Sequence, residues 1–518
     1  MKKNILYPLS VIVLVILANG CSKEFLDRQP LDREVSTNFY KTEKDAMMAL
    51  TAVYDALGWD QMPGVSWAPF CTVSDILSDD SYAGGSDPND GMDENELNTF
   101  NIPTTNLLVK ATWMKNYVGI YRANLLMEKM DQITMSEEKK ARMIAECKFL
   151  RAYFHFELVR FFENIPLLTA TIKGPSEYNQ DQETPKQVYD QIALDLVEAA
   201  AVLPTTIPPT EAGRVSKWAA ESLLGRVYLF YNGVYGAELQ AGELVVDRAK
   251  SLEFLEDVIA NSGHDLFPDY MTNFKLAGEF GIESVFEISH GDTPPWWDWY
   301  YVVGGEGNLA AQMQGPRVAL SSNWDRGWSF GIVSQKLVDD FSDDPRLAMT
   351  IVRDEDLDGT LTKGYQHTGY FSKKYSSDAE HWGADGQFEL NRTCNFRVIR
   401  LSDVLLMAAE LGSPNAQGHL DRVRARVGLG SIPATLDNIL KERRLELSLE
   451  GIRYFDVIRR GMAYANQEFT VIGLRGPKYT DDQVVYDVTF NSATKGFLPI
   501  PQTEIDLSGG VFRQNAGY

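Results

Sequence analysis

Positive charge is scarce in this chain. The sequence has 49 lysines and arginines against 72 aspartates and glutamates, which gives a formal net charge of -23 at pH 7. Nucleic acids bind basic surfaces, because lysine and arginine must neutralise their phosphates. The deficit of positive charge therefore argues against nucleic acid as a partner. It also disfavours direct binding of the protein body to anionic lipid headgroups.

Residues that commonly bind metals are few. The sequence has 4 cysteines and 6 histidines in 518 residues. Cys71, Cys147 and Cys394 are far apart, with no C-x-x-C pair and no neighbouring pair of histidines, so we expect no zinc site. Cys147 falls within a helical pattern and is predicted to be a small buried apolar residue. The sequence leaves open whether Cys71 and Cys394 form a disulfide.

The common catalytic motifs are missing as well. The chain has no G-x-S-x-G, no H-E-x-x-H and no Walker loop. Gly305, Gly307 and Ala310 imitate a dinucleotide-binding fingerprint, but no βαβ pattern surrounds them, so we reject that interpretation. We therefore expect a non-catalytic protein that requires no cofactor.

Long hydrophobic runs are limited to the N-terminus. Lys2 and Lys3 precede an apolar stretch over 5–17, and small residues lead up to Cys21. The stretch is shorter than the roughly 20 apolar residues that span a bilayer. This pattern predicts a signal peptide over 1–20. Its Gly-Cys ending looks like the lipobox of bacterial lipoproteins, so we expect Cys21 to carry the lipid anchor.

The remainder of the chain divides by composition and periodicity. We predict a lipid-anchored tether over 21–40, a helical repeat scaffold over 41–263 with a loop insertion at about 59–110, a loop-rich binding region with short strands over 264–400, and C-terminal helices with an extended tail packing on the scaffold over 401–518.

Amphipathic helices dominate the predicted fold. Apolar residues recur at helical spacing, and capping residues stand at the expected starts. We predict helices that begin near Thr42 or Glu43, run from Ser136 to Phe162, begin at Thr184-Pro185, run from Ser216 to about Tyr231, and cover 402–411, 418–427 and 435–460. The fold class is therefore mainly α, an irregular scaffold of tetratricopeptide-like helix pairs with a loop-rich, minor-β ligand-binding region.

Aromatic residues crowd several loops. Sugars present flat C–H faces, and an indole ring covers much of such a face at little entropic cost while its N–H can reach a hydroxyl. A loop with many aromatics is also difficult to bury completely. The alternative is that the rings fill gaps beneath the loops. The predicted ligand-binding residues are Trp296, Trp297, Trp299, Tyr300, Trp324, Trp328, Tyr82 and Trp67.

Two acidic patterns also have chemical interpretations. Asp354, Asp356 and Asp358 match the first half of a calcium-binding EF-hand loop, although Tyr365 replaces the final glutamate. The alternative is a solvated acidic turn. Further on, Glu442, Glu446 and Glu450 follow one face of the predicted helix over 435–460. A carboxylate pair could hydrolyse a glycoside, but ion pairs that brace the helix against the tail are the preferred interpretation.

Several ordered segments together resemble the RagB/SusD family of outer-membrane nutrient-binding lipoproteins. They extend over almost the whole chain, so the resemblance does not depend on one motif. The segments are Cys21 with Phe25-Leu26-Asp27 and Pro30, Tyr117 with Tyr121 to Asn124, Glu146 to Phe154 with Phe161 and Pro166-Leu167, Ala219-Ala220 with Arg226 to Leu229, Asp344-Pro345-Arg346, Arg422 to Leu429, Glu442 to Leu447 with Glu450-Gly451, Arg453-Tyr454 and Asp456, Leu498 to Pro501, Glu504-Ile505, and Gln514-Asn515.

The resemblance implies both a place and a role for the protein. It implies a lipoprotein on the outer membrane, facing the cell exterior, with four tetratricopeptide-like helix pairs. Such a protein caps a SusC-like TonB-dependent transporter and passes it a captured glycan. Peptide or another nutrient is the alternative cargo. A surface glycoside hydrolase is the alternative from another class of protein.

Overall fold

The computed structural model describes most of the chain after its first 38 residues. The described residues are 39–60, 62, 65–291, 307–382, 389, 391–475 and 484–518. They form seventeen α-helices and twelve short strands, so the fold is mainly helical, as the sequence predicts. The helices are α1 Glu43–Asp55, α2 Phe70–Ile76, α3 Met92–Asn98, α4 Leu107–Lys129, α5 Glu137–Phe162, α6 Pro185–Ala200, α7 Lys217–Tyr235, α8 Arg248–Asn261, α9 Leu309–Gln314, α10 Gln335–Phe341, α11 Arg346–Thr350, α12 Leu401–Glu410, α13 Ala416–Arg426, α14 Leu436–Glu446, α15 Arg453–Ile458, α16 Met462–Phe469 and α17 Gln502–Leu507.

The long helices begin where their capping residues predict. Thr42, Ser136, Thr184 and Ser216 each accept a hydrogen bond from the backbone N–H three residues further on. Such caps satisfy backbone donors that have no partner within the helix. The helix that begins after Ser216 continues four residues beyond the predicted end, to Tyr235.

Successive helices pack side by side and form the scaffold. α4 contacts α5, α5 contacts α6, α6 contacts α7, and α7 contacts α8. α8 then contacts α12, which also contacts α13 and α14. The residues between α8 and α12 leave this row of helices and form the loop-rich part of the molecule.

The strands are short and pair two by two. They are β1 Ser81–Gly84, β2 Leu239–Ala241, β3 Leu244–Val246, β4 Ser284–Ile288, β5 Val318–Ala319, β6 Phe330–Val333, β7 Ile351–Arg353, β8 Thr360–Leu361, β9 Tyr370–Ser372, β10 Phe396–Arg400, β11 Val471–Arg475 and β12 Val484–Val488. The antiparallel pairs are β1 with β6, β2 with β3, β4 with β10, β5 with β8, β7 with β9, and β11 with β12. The pairing of β1 with β6 joins the predicted insertion at 59–110 to the loop-rich region.

The predicted single helix over 435–460 is wrong. α14 ends at Glu446, and α15 begins only at Arg453. Between them Leu449 and Gly451 have φ angles of 59° and 72°, which an α-helix does not allow. A Cβ atom on Gly451 would lie 2.7 Å from the ring of Phe70, so close packing adds a second requirement for glycine.

A helix that crosses a bilayer needs roughly 20 apolar residues. Within the described part of the chain, no helix is both long and apolar enough to cross a membrane.

Candidate functional site

Two tryptophans from distant parts of the chain pack against each other at the edge of the loop-rich region. The ring centroids of Trp67 and Trp328 are 5.0 Å apart, and their planes are inclined by 36°. Both residues are half-buried. Trp67 stands just before α2 and Trp328 just before β6, and α2 contacts both β6 and α9. We call Trp67 and Trp328 the tryptophan pair.

The tryptophan pair rests on a rigid base. Leu309, Met313 and Phe330 are buried and pack beneath the two rings. The backbone N–H of Trp328 donates to the Gln312 carbonyl over 3.0 Å, which fixes the ring against α9. A preformed aromatic surface loses little conformational entropy when a ligand binds.

Polar groups surround the tryptophan pair. Arg317 donates from Nε to the Trp328 carbonyl over 2.8 Å and from its guanidinium to Asp90 Oδ2 over 2.9 Å. Nearby, the guanidinium of Arg392 donates to Gln312 Oε1 over 2.7 Å and to Asp325 Oδ2 over 3.0 Å. An apolar face with a few oriented polar groups is the usual composition of a small-molecule site.

Two further tryptophans lie in the same region. Trp324 is half-buried, and it packs against a small cluster that includes Ile332, Val352 and Phe371. Trp382 is 37% exposed, and its Nε1 donates to the Ser377 carbonyl over 3.4 Å. Sequence reasoning missed Trp382. Its position in a stretch rich in glycine, aspartate and serine was the signal that could have identified it.

Tyr82 presents little surface to a ligand. Its side chain is 5% exposed and packs against Val488, with Phe100 nearby. It lies on β1 opposite Ile332, and burial raises the pKa of its hydroxyl above the ordinary value. Its position therefore fits the alternative interpretation, in which a loop aromatic fills a gap.

The remaining predicted aromatic residues lie outside the described residues. They are Trp296, Trp297, Trp299 and Tyr300, and Cys21 also lies outside. The nearest described neighbours contact one short segment: the His290 N–H donates to Asn395 Oδ1, and the Asn308 N–H donates to the Arg392 carbonyl, both over 2.8 Å.

The structure does not gather the three aspartates of the predicted calcium loop. Asp354 lies 3.3 Å from His367 Nε2, while Asp358 accepts hydrogen bonds from Ser321 and Ser322. The hydrogen bond from Ser321 is the largest cause of a lowered pKa at Asp358. No group of three or more histidine, cysteine or carboxylate side chains within the described ranges, Asp356 included, is arranged to hold a metal ion.

The carboxylates of α14 are engaged in a buried ion-pair network. Glu446 accepts hydrogen bonds from Arg400 over 2.9 Å and from Arg346 over 3.1 Å, and it also pairs with Arg426. Burial alone would raise the pKa of Glu446, but the guanidinium groups of Arg426 and Arg400 hold it well below its ordinary range.

Glu450 belongs to the same network. It pairs with Lys374 and with Arg400, each over 2.7 Å. The ion-pair interpretation of these carboxylates therefore holds. Its partners differ from those predicted, because they come from the loop-rich region and from β10 and α13 rather than from the tail.

The fold and this surface together define a class of protein. A rigid helical scaffold carries a loop-rich region, and that region presents a fixed pair of aromatic rings with polar groups around them. The carboxylates considered for hydrolysis are held in ion pairs. These features are typical of a binding protein rather than of a hydrolase.

Two family models match the sequence. The model described as "SusD family" matches residues 350–518, and the model described as "Starch-binding associating with outer membrane" matches residues 24–229. A curated relative, SusD-like protein P2 of Formosa agariphila, is 26% identical over the whole length of both chains.

Solved structures agree with the family models. A laminarin binding SusD-like protein superposes with a TM-score of 0.80 at 32% identity, covering 92% of this chain and 100% of the other. Surface glycan-binding protein A from Bacteroides thetaiotaomicron, solved in complex with laminarihexaose, gives a TM-score of 0.79 at 29% identity, covering 92% and 100%. The chain belongs to the SusD family. These relatives are named as SusD-like or glycan-binding proteins and not as enzymes, in agreement with the expectation of a non-catalytic protein.

Proposed function

We propose that this protein is a non-catalytic, cell-surface lipoprotein that binds an oligosaccharide or polysaccharide. The observation that carries the proposal is the tryptophan pair, Trp67 and Trp328, held at the surface by buried side chains and backbone hydrogen bonds. Both indoles are only half-buried, so part of their apolar surface remains available to the C–H face of a sugar ring.

The polar groups beside the tryptophan pair would orient the sugar. Arg317 and Asp90 are partly exposed, and Arg317 already donates to Asp90 and to the Trp328 carbonyl, so both side chains are fixed before a ligand arrives. Gln312 and Arg392 are buried and support the site from within through their own hydrogen bonds. Sugar hydroxyls can bind such groups directly or through water. Trp296, Trp297, Trp299 and Tyr300 are proposed as further contacts.

Laminarin is the first ligand to test. Two solved relatives carry laminarin or laminarihexaose in their descriptions, and these relatives cover more than nine-tenths of this chain. Binding should be weak to moderate, because a half-buried aromatic surface with water-mediated contacts loses part of its interaction energy to desolvation and ordering.

We further propose that the bound glycan is delivered to a SusC-like TonB-dependent transporter. The lipid at Cys21 would hold the protein on the outer membrane, on the exterior side. The family description of association with the outer membrane supports this placement. Capture close to a transporter raises the local ligand concentration at its entrance, which is the advantage that a non-catalytic binder provides.

The experiment is affinity electrophoresis of the soluble chain that begins at Ser22, in gels with laminarin and a panel of other polysaccharides. We expect one glycan to retard the wild type. Trp67→Ala and Trp328→Ala should each weaken binding roughly tenfold, since one aromatic contact contributes about 1.5 kcal/mol. Tyr178→Ala, which removes an exposed ring elsewhere, is the matched control.

Each result of this experiment has a distinct meaning. Retention of full binding by both tryptophan variants would refute the assignment of the site. A triple variant, Trp296→Ala with Trp297→Ala and Trp299→Ala, then tests the other predicted cluster. If no polysaccharide retards the wild type, the glycan proposal fails and peptide cargo becomes the hypothesis to test.

A further inference from the structure

A groove follows helix α1 on the scaffold side of the molecule. It consists of two cavities of about 320 Å³ and 520 Å³ that share Ala212, Gly213, Arg214 and Glu287 in their walls. The first cavity follows a helical stripe of α1 that includes Met47 and continues to the end of the helix. The groove is separate from the tryptophan pair, since neither Trp67 nor Trp328 lines it.

The floor of the groove is held rigidly. The Tyr54 hydroxyl donates to Glu146 Oε2 over 2.8 Å and accepts from the Val215 N–H over 3.0 Å. Arg214 donates from Nε to the same Glu146 oxygen over 3.1 Å. These contacts fasten the loop around 212–215 to α1, so the groove is a fixed feature of the surface.

The walls expose apolar side chains. Met47 is 37% exposed and Phe280 is 42% exposed. Phe280 has a φ of 51°, a left-handed conformation that is unfavourable for a bulky residue, and its N–H donates to Glu287 Oε1 over 2.8 Å. The partly exposed ring lies beside Gly213 and is available for contact with an apolar partner.

The chain's own N-terminal segment is long enough and close enough to occupy the groove. The described chain starts at Phe39, directly before the helix that forms one wall of the groove. The preceding segment is mostly polar, but it contains Phe25, Leu26, Leu31 and Val35. A chain of 14 residues over 25–38 reaches about 45 Å when extended, at about 3.3 Å per residue.

That reach is sufficient for both cavities. From Met47 to its end at Asp55, α1 advances only about 12 Å, so the segment can run back along α1 and still enter the second cavity beside Phe280. We propose that residues 25–35 dock in this groove, antiparallel to α1, with their apolar side chains against Met47 and Phe280.

Docking would change the role of the anchor segment. A free segment of this length would let the protein body rotate in any direction above the membrane. A docked segment leaves only a few residues between the groove and Cys21, so the second cavity, lined by Trp218 and His264, would face the lipid surface. This inference uses the anchor position and is independent of the glycan site.

Amide hydrogen exchange of the soluble chain that begins at Ser22 tests the proposal. We expect the amides of 25–35 to exchange at least roughly tenfold more slowly than in the free peptide of the same sequence. Met47→Gln with Phe280→Asn should abolish this protection, because it removes the apolar contacts while asparagine tolerates the left-handed backbone. Val245→Gln, an exposed apolar position outside the groove, should retain it.

A second measurement separates docking from a folding defect. A chain that begins at Phe39 should bind a fluorescent peptide of residues 22–38, and Phe280→Asn should weaken that binding. Exchange of 25–35 at the free-peptide rate in the wild type overturns the proposal. Peptide binding that is unchanged by Phe280→Asn also overturns it. Laminarin binding that requires Phe280, with 25–35 unprotected, would overturn it in favour of a second glycan site.

Discussion

Among single residues, Glu94 places an ionisable group next to the base of the tryptophan pair. Its side chain is buried, and a Cβ atom on Gly91 would lie 2.9 Å from Glu94 Oε2 and 2.4 Å from the ring of Phe330. Burial raises the pKa of Glu94 to about 7, and the charges of Asp93 and Asp90 add to the effect. The carboxyl group is therefore largely protonated in mildly acidic solution.

The raised pKa of Glu94 predicts that the free energy of unfolding falls as the pH rises. A carboxyl group whose folded pKa lies above its ordinary value stabilises the protein below that ordinary value, and the contribution is lost as the pH rises through the folded pKa. Between about pH 5 and about pH 8 the free energy of unfolding of the wild type should fall by about 2–3 kcal/mol because of Glu94. In Glu94→Gln this fall should be absent. Urea unfolding of both proteins at the two pH values measures it.

The control is the same change at an exposed carboxyl. Glu137 lies in the first turn of α5 and is almost fully exposed, so Glu137→Gln should leave the pH dependence of the wild type in place. A Glu94→Gln protein whose free energy of unfolding still falls with pH as in the wild type would contradict the assignment to Glu94.

The predicted site residues show what a sequence can and cannot indicate about single side chains. Trp67, Trp324, Trp328 and Tyr82 became candidates by the same argument, because each is an aromatic residue in a stretch with the composition of a loop. Their exposure depends on which strands pair and what lies beneath, so Tyr82 became part of a strand against Val488 while Trp67 stayed half-buried at the surface. Local sequence contains no information on those distant neighbours.

Among the elements, the long helices were predictable and the break in the C-terminal helix was not. Periodicity and caps are local signals, so the helix that follows Ser136 begins and ends as predicted. The break after Glu446 depends on the packing of Gly451 against Phe70, a contact between remote segments. The helical pattern continues through the break in sequence, so tertiary packing overrides it there.

The contact between helices α4 and α5 at Gly119 gives a prediction for these elements. An alanine Cβ on this residue of α4 would lie 2.3 Å from the ring of Phe154 on α5, which is fully buried. Helix propensity favours alanine over glycine by about 1 kcal/mol, whereas overpacking costs about 1–3 kcal/mol. We expect a net destabilisation of up to about 2 kcal/mol for Gly119→Ala, measured by urea unfolding.

A paired variant identifies the cause of that loss. Gly119→Ala with Phe154→Leu should be less destabilised than the sum of the two single changes, because the smaller side chain makes room for the new methyl group. Gly430→Ala should be neutral, since nothing lies within 4 Å of the Cβ position. Strict additivity of the two changes at the helix contact would contradict steric overlap as the mechanism.

For the whole molecule, the site depends on assembly of segments that are far apart in sequence. The pairing of β1 with β6 joins the insertion to the loop-rich region, and the contacts of α2 with α9 and β6 bring Trp67 against Trp328. The network around Glu446 joins the same region to the C-terminal helices through Arg346 and Arg400. The sequence predicted the helical scaffold and the aromatic composition, but not the pairings that place two rings in contact.

The anchor gives the prediction for the whole molecule. The signal-peptide pattern that ends at Cys21 predicts that retention at the membrane depends on acyl chains at this residue. One acyl chain binds only marginally, whereas two or three anchor a protein stably. Wild-type protein should partition into the detergent phase of a Triton X-114 extract and incorporate labelled palmitate, and Cys21→Ala should lose both properties.

A second cysteine provides the matched control for this experiment. Cys71 is a buried free thiol, so Cys71→Ala should stay in the detergent phase with its label intact. If Cys21→Ala protein remained in the detergent phase without label, another part of the chain would hold it at the membrane. The few residues between the groove along α1 and Cys21 would then not hold the protein at the membrane. Docking of the N-terminal segment would therefore not orient the protein, even if the segment docks.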